Sequence, residues 1–198
     1  EEQKTRMEQI NKRIADLQQQ FGSILPKAAN DAAVWVESKE ELAGLSDADL
    51  AQCAKDAQSR GGKSPYCIVI TNTTQQPILA SLSNRELRKR VWEASRHRAD
   101  GTRGASTFGI VSEMASLRAE KAKLLGYDTY AAYSLDAAMA KNTANVYNFL
   151  SNLTREYRPK ADAETKSIED YARQTMGADF QLQPYDRFYF SAKMKRDK

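Results

Sequence analysis

Apolar residues recur along most of this chain at spacings of three and four, the period of a helix that buries one face. The first stripe runs from Met7 to Phe21, and a second runs from Leu50 to Ala57. Later stripes cover Leu87 to Ala94, Ile110 to Leu124 and Val146 to Met176. The pattern predicts an all-α fold, an irregular assembly of roughly six to eight helices.

Polar residues mark two of the helix starts. The Ser46 side chain can accept a hydrogen bond from a free N–H of the first turn, and Asp47 and Asp49 suit the positive end of the helix dipole. Ser83 and Glu86 have the spacing of a capping box, in which the two side chains bond the free N–H groups reciprocally. These signals predict that helices begin at Ser46 and at Ser83.

Helix-breaking residues lie inside two of the longer stripes. Gly22 and Pro26 are expected to interrupt or kink the first helix, because proline has no N–H to donate and crowds the preceding turn. Pro159 is expected to kink or restart the last long helix for the same reason. Before Pro159, the spacing predicts a buried helix face made of Val146, Phe149, Leu150, Leu153 and Tyr157.

One segment has the character of a β-strand. "YCIVIT", Tyr66 to Thr71, is rich in β-branched residues and is bounded by turn-forming residues on both sides. A single strand cannot form a sheet. We therefore expect a small hairpin with residues just past Pro77, or pairing with chain outside this sequence. The expected fold class is all-α with a small β element near residues 66–71.

Composition fits a globular protein rather than a membrane protein. The 198 residues are 41% hydrophobic and 28% charged, and no run approaches the roughly 20 apolar residues that a membrane span needs. The N-terminal stretch "EEQKTRMEQINK" is charged and helical in character, unlike a signal peptide. These features predict a cytoplasmic protein with no membrane partner.

The net charge of +4 is concentrated in one segment. Residues 84–104 hold seven Lys or Arg against three Asp or Glu. Such a basic stripe could meet nucleic acid or an acidic partner, but a solvated helix face explains most charge runs on helices. Apart from Trp92, the segment has no interleaved aromatic residues for stacking on bases, so we expect no nucleic-acid partner.

The residues for a self-sufficient catalytic site are scarce. His97 is the one histidine, it lies between two arginines, and the sequence offers it no orienting carboxylate. Cys53 and Cys67 are too few for a zinc cluster or a disulfide framework. They are interpreted as ordinary thiols in a reducing compartment, with a single disulfide as the alternative. No catalytic or metal-binding residue is therefore predicted within this chain.

Several stretches together resemble the thimet-oligopeptidase family of zinc metallopeptidases, and most closely its bacterial peptidyl-dipeptidase branch. The most specific is "LRAEKAKLLGYDTYAAYSLDAAMAKNTANVYNFL", Leu117 to Leu150. It is preceded by "ELAGLSDADLAQCAKDA" and by "TNTTQQPILASLSNRELRKRVWEASRHR". The closing "LQPYDRFYFSAKMKRDK" is similar to an aromatic stretch of the family. The resemblance covers nearly the whole chain in order.

The resemblance implies a mostly helical protein with a deep channel that admits short unstructured peptides. In this family the zinc-binding H-E-x-x-H motif lies C-terminal to the aromatic stretch. Residues 1–198 are therefore expected to be the helical channel wall of a larger peptidyl-dipeptidase, without its zinc-binding half. Zinc would be the cofactor of the intact enzyme, a monomer acting on short peptides. This part alone would hold no cofactor and would be inactive.

The resemblance also gives three candidate channel residues, Tyr185, Asp186 and Tyr189. The sequence departs from the family here, because Tyr185 and Arg187 stand where tryptophans flank the aspartate, and Ala192 stands where a glutamate is expected. The alternative interpretation is that these aromatic residues pack a helix onto the catalytic half.

If that half is missing, the segment 183–198 is expected to fray or to contact another copy, or to leave its aromatic side chains partly exposed, namely Tyr185, Phe188, Tyr189 and Phe190. The second functional hypothesis is a stand-alone helical module without catalysis, which binds peptides or an acidic partner through the basic stripe.

Overall fold

The computed structural model describes residues 1–197 and confirms the all-α prediction. The described residues form eight helices and two short strands. Their bounds are α1 Glu2–Asp31, β1 Val34–Val36, α2 Asp47–Ser59, β2 Tyr66–Ile68, α3 Gln75–Ser81, α4 Arg85–Arg96, α5 Phe108–Leu124, α6 Tyr130–Asp136, α7 Thr143–Met176 and α8 Arg187–Arg196. Within these residues, no helix combines the length and the apolar character needed to cross a membrane.

The small β element pairs two strands that lie on either side of α2. Strands β1 and β2 run antiparallel, with Val34 opposite Ile68 and Val36 opposite Tyr66. The predicted strand is therefore confirmed, but it ends at Ile68 rather than at Thr71. The expected hairpin with residues past Pro77 is wrong. Pro77 lies in the first turn of α3, where a residue without an N–H sacrifices no hydrogen bond.

The starts of α2 and α4 show how local side chains compete for a helix end. Ser46 caps α2 as predicted, and its Oγ accepts from the Asp49 N–H at 3.2 Å. The capping box at Ser83 is wrong, because Asn84 caps α4 by accepting from the Leu87 N–H at 3.0 Å. The Ser83 N–H instead donates to the Ala43 carbonyl.

The long helices continue through their predicted break points. Helix α1 runs through Gly22 and Pro26, and α7 runs through Pro159. One proline removes one backbone hydrogen bond from a helix, whereas α1 and α7 extend over 30 and 34 residues. The predicted interruption of α1 and restart of α7 are therefore wrong, and the alternative of a kink at these positions stays a prediction.

The chain divides into two compact units. Unit 1 comprises Glu1–Ile24 and Ser106–Asp162. Helices α1 and α5 are joined there by paired hydrogen bonds from Arg6 to Glu120 and from Arg13 to Glu113, at 2.6 and 2.8 Å in each pair. Fully or nearly buried apolar side chains in this unit are Ile10, Leu17, Met114 and Ala122.

Unit 2 comprises Leu25–Ala105 and the described part of Ala163–Lys198. Its larger core cluster packs α2, α3 and α4 around the two strands and consists of Ala32, Val34, Val36, Leu42, Cys53, Ile68, Ile70, Leu79, Leu82, Leu87, Val91 and Ala94. A smaller cluster joins α7 to α8 through Ile168, Ala172 and Phe190. The inward face predicted for α4, with Leu87, Val91 and Ala94, is confirmed.

The predicted buried face before Pro159 is wrong. Phe149 and Tyr157 are 63% and 64% exposed, Leu150 and Leu153 are also exposed, and Val146 is half-buried. Periodicity identifies a helix face that is apolar, but it does not state whether the same chain supplies the surface that covers it. In unit 1 this face is open.

Candidate functional site

The Asp186 carboxylate, one of the predicted channel residues, is completely buried in unit 2. It lies just before α8 and accepts from two guanidinium groups of α4. Arg88 Nη2 lies 2.8 Å from Oδ1, and Arg85 lies 2.9 Å from Oδ2 through Nη2 and 3.1 Å through Nε. The Gln183 N–H also donates to Oδ2, at 3.1 Å. Asp186 therefore joins α4 to α8, and its oxygens face protein donors.

Arg88 is buried with its partner, although it belongs to the basic stripe. Its Nη1 donates to the carbonyls of Leu82 and Ser83 at 2.8 and 3.0 Å. Its Nε is buried without a hydrogen-bond partner in the described residues. Removing the carboxylate from this guanidinium would leave a buried positive charge uncompensated, which is costly in a protein interior.

The group formed by Arg85, Arg88 and Asp186 has a net positive charge, and Arg85 is the arginine that brings this charge to the surface. Two guanidinium groups meet one carboxylate, and the Arg85 side chain is 37% exposed whereas the Arg88 side chain is 3% exposed. Hydrogen bonding to Asp186 raises the pKa of Arg85 further above its ordinary value. The surface near Arg85 is therefore locally cationic.

Aromatic rings surround both guanidinium groups. Arg88 lies 4.3 Å from the centroid of the Tyr189 ring, and Arg85 lies 4.5 Å from Phe180 and 5.6 Å from Tyr185. Rings at these distances attract a cation through their electron-rich faces. Tyr185 also contacts Trp92 edge-on, with centroids 6.3 Å apart.

The predicted channel residues therefore occupy different environments. Tyr185 is half-buried and lines a depression of about 400 Å³ together with Arg85, Phe180 and Gln183. Tyr189 is half-buried under Arg88, and Asp186 is buried. Of the three, Tyr185 alone lines this depression.

The closing segment forms helix α8, contrary to the expectation of fraying. The expected partial exposure is met at Tyr185 and Tyr189, which are half-buried, and is wrong for Phe190. Phe190 is 1% exposed and packs edge-on against Phe180 and Tyr189. Phe188 is 37% exposed, so the expectation is met at that position. The burial of Phe190 was not predicted from the segment itself, because Ile168 and Ala172 of another helix, α7, form part of its pocket.

Three arginines of the basic stripe, residues 84–104, form ion pairs with carboxylates of unit 2. Besides Arg85 and Arg88, Arg90 pairs with Glu41 at 3.3 Å and donates to the Trp35 carbonyl at 2.5 Å. The prediction of a plain solvated face is therefore wrong for Arg88, which is buried, and for Arg85, which is half-buried, whereas Arg90 is exposed.

His97 has the carboxylate partner that the sequence did not reveal. Its Nδ1 lies 2.7 Å from Asp100 Oδ2 at the exposed end of α4. Hydrogen bonds from the Thr102 hydroxyl and N–H, and then the contact with His97, lower the pKa of Asp100 to about 2. His97 and Asp100 lie three positions apart, and Thr102 also bonds to Asp100. This arrangement is expected of a turn at the end of a helix.

Comparison with known proteins identifies the family. The family model described as Peptidase family M3 matches residues 78–198. This chain belongs to peptidase family M3. A dipeptidyl carboxypeptidase of Escherichia coli (strain K12) is 30% identical over 98% of this chain and 28% of its own length. An oligopeptidase A of Haemophilus influenzae is 30% identical over 99% of this chain and 29% of its own length.

A third relative matches a smaller part of the chain. A mitochondrial intermediate peptidase of Phaeosphaeria nodorum is 31% identical over 60% of this chain and 15% of its own length. The M3 chain therefore spans less than a third of the relatives that it matches over its full length. The family resemblance predicted from the sequence is confirmed.

The described part of this M3 chain does not fit a metal centre. Across residues 1–197, no group of three or more His, Cys, Asp or Glu side chains is arranged to hold a metal ion. A zinc site needs three or four such ligands converging on one point. The carboxylate that sequence reasoning singled out, Asp186, is already saturated by arginine donors.

Both cysteines of the M3 chain are free thiols and are buried. Burial raises the pKa of Cys53 to about 11 and raises that of Cys67 as well. Both line a cavity of about 210 Å³ between α2 and β2. The interpretation as ordinary thiols agrees with this environment, because a protonated, buried thiol is a poor nucleophile.

Proposed function

We propose that this chain is part of a zinc-dependent peptidase that hydrolyses short peptides, and that it forms part of the wall of the substrate channel. The observation that carries the proposal is similarity over 98–99% of the chain to a dipeptidyl carboxypeptidase and an oligopeptidase A. The same similarity favours a peptidase portion over a stand-alone binding module. The zinc ligands would come from sequence outside residues 1–198.

In this proposal the three predicted residues have separate roles near the channel. Tyr185 offers a half-buried ring and hydroxyl beside the cationic Arg85 surface. Asp186 is a positioning residue, because it fixes Arg85 and Arg88 and meets no solute itself. The Tyr189 ring packs against the Arg88 guanidinium group. The whole protein would be a cytoplasmic monomer without a nucleic-acid partner.

The test uses the longest reading frame that contains this chain. We expect its purified product to release dipeptides from the free carboxyl end of a short peptide, detected by mass spectrometry. A chelator should abolish the release and added zinc should restore it. The chain 1–198 alone serves as the matched control and should be inactive. A reading frame without H-E-x-x-H, or hydrolysis that the chelator leaves unchanged, would overturn the proposal.

Tyr185→Phe and Asp186→Asn in the same product separate the two proposed roles. Loss of a hydroxyl that contacts substrate should raise KM while the unfolding midpoint stays unchanged. Loss of the positioning carboxylate should lower the unfolding midpoint and kcat/KM together. If Tyr185→Phe leaves all kinetic parameters unchanged, its hydroxyl has no place in the substrate channel.

A further inference from the structure

A second concavity of unit 2 lies away from the Asp186 group. It has a volume of about 650 Å³ and is formed by the C-terminal part of α1, the segment after β2 and the C-terminal end of α4. One wall is apolar and includes Leu25 and Ala29. Leu25 is 45% exposed, so an aliphatic group could still bury part of its surface there.

The opposite wall carries one charged side chain, Arg98, and several neutral polar ones, including Asn72, Thr73 and Ser95. Arg98 Nε donates to the Ser95 carbonyl at 3.2 Å, and its Nη2 contacts Asn72 Oδ1 at 3.5 Å. Its Nη1 donates to no acceptor in residues 1–197, and no Asp or Glu lines the concavity. Arg98 is thus positioned by its Nε and keeps N–H groups for a ligand.

Arg98 differs in this respect from three other arginines of the stripe. Arg85, Arg88 and Arg90 each pair with a carboxylate of unit 2. Among the described residues Arg98 has no such ion pair. A half-buried guanidinium without a counter-charge attracts a carboxylate, which it can bond through two parallel N–H groups.

We propose that this groove binds the carboxyl-terminal residue of a short peptide. Arg98 would hold the terminal carboxylate, Asn72 and Thr73 would bond the last amide, and Leu25 and Ala29 would contact an aliphatic side chain. The inference rests on the proposed function only for the choice of a peptide as the ligand. One cation beside an apolar wall suits a monoanion on an apolar body better than phosphate, which usually gathers several cations.

The test uses the chain 1–198 and two probes, N-acetyl-Ala-Leu with a free carboxylate and the same dipeptide as its carboxyl amide. Titration is followed by 15N chemical shifts at low salt. We expect the free acid to shift Asn72 and Thr73 and to bind at least about 10-fold more tightly than the amide, the effect of a charge-assisted hydrogen bond pair. Arg98→Gln should bring the affinity of the acid to that of the amide.

The matched control is Arg96→Gln, two positions earlier, at the last residue of α4. Arg96 lies 5.7 Å from the Trp92 ring and does not line the groove, so this variant should bind like the unchanged chain. Leu25→Asp changes an exposed residue on the other wall, and the new carboxylate should weaken binding of the acid at least about 10-fold by repulsion.

Three results would overturn the proposal. Equal affinity for acid and amide in the unchanged chain would exclude carboxylate recognition, whether or not the Arg98→Gln variant folds. Equal binding of octanoate would exclude a peptide as the ligand, and displacement of the acid by inorganic phosphate would exclude a monoanion site. Because no zinc or hydrolysis is involved, failure here and failure of the proposed peptidase activity are distinguishable.

Discussion

At the residue scale, the Asp186 carboxylate should be the most sensitive polar group of unit 2. Asp186→Asn keeps the shape but leaves Arg88 buried without a counter-charge. Breaking one side of a buried ion pair costs about 3–5 kcal/mol. We expect a loss of that size in the free energy of unfolding, measured in urea by the fluorescence of Trp35 and Trp92, which both lie in unit 2.

Asp170→Asn is the matched control for this prediction. Asp170 lies 3.9 Å from Arg173 on exposed α7, with both side chains about half exposed, and such pairs contribute at most about 1 kcal/mol. Equal destabilisation by the two variants would show that burial of the Arg88–Asp186 pair has no special energetic weight.

The two thiols give a second residue-scale prediction. With a pKa of about 11, Cys53 holds roughly one thiolate per thousand molecules at about pH 8, against about one in four for a free cysteine. Alkylation by iodoacetamide should therefore be at least about 100-fold slower in the native chain than in urea. The native rate should rise as the pH increases from 8 towards 11.

Ser167→Cys supplies the control, because Ser167 is exposed on α7 and its replacement should react at the rate of a free thiol. A native rate for Cys53 and Cys67 equal to that of this control would contradict their burial. A rate independent of pH would contradict the raised pKa.

The position of Arg88 shows what residue-level patterns can and cannot predict. Arg88 lies on the apolar stripe of α4, three residues before Val91. This position could have indicated that its side chain is buried. Its partner could not be predicted, because Asp186 is 98 positions away along the chain. An interpretation of the stripe as solvated followed from counting charges without their partners.

At the element scale, the start of α2 depends on one hydroxyl. Ser46→Ala removes the acceptor for the Asp49 N–H, and loss of an N-cap costs about 1 kcal/mol. We expect that decrease in the unfolding free energy of unit 2, again from tryptophan fluorescence. Ser167→Ala, in the interior of a helix with its Oγ bonded to the Ala163 carbonyl, should change it by less than about 0.5 kcal/mol.

A Ser46→Ala loss no greater than that of the control would show that water replaces the cap without cost.

The elements themselves were largely predictable, because three-four spacing and Ser46 are local signals. The partner of β2 was not, since β1 lies more than 25 positions earlier in the chain and the pairing depends on how the intervening helix α2 packs against the strands.

At the scale of the whole molecule, the two units should differ in local stability. Unit 2 has a large core cluster that includes α4, whereas the α7 face with Phe149, Leu153 and Tyr157 in unit 1 is open. Helices without tertiary packing are marginal in water. We expect amides of residues 146–157 to exchange with deuterium much faster than those of 87–94 in α4, measured by mass spectrometry after pepsin digestion.

Similar protection in both segments would show that the open face of α7 is covered in solution. The spacing predicted this face as buried, and that was wrong. It could not predict that the described chain leaves the face exposed, because an apolar pattern is the same whether its cover lies in the same unit or elsewhere.

The Arg88–Asp186 pair also sets an order of events during protein synthesis. A ribosome adding about 5–20 residues per second makes Asp186 roughly 5–20 seconds after Arg88, because 98 positions separate them. Residues 106–162 of unit 1 are translated in between. A nascent chain that has reached only residue 105 thus contains α4 with its interior guanidinium unpaired. We expect such a chain to need chaperone protection, whatever the final stability of the protein.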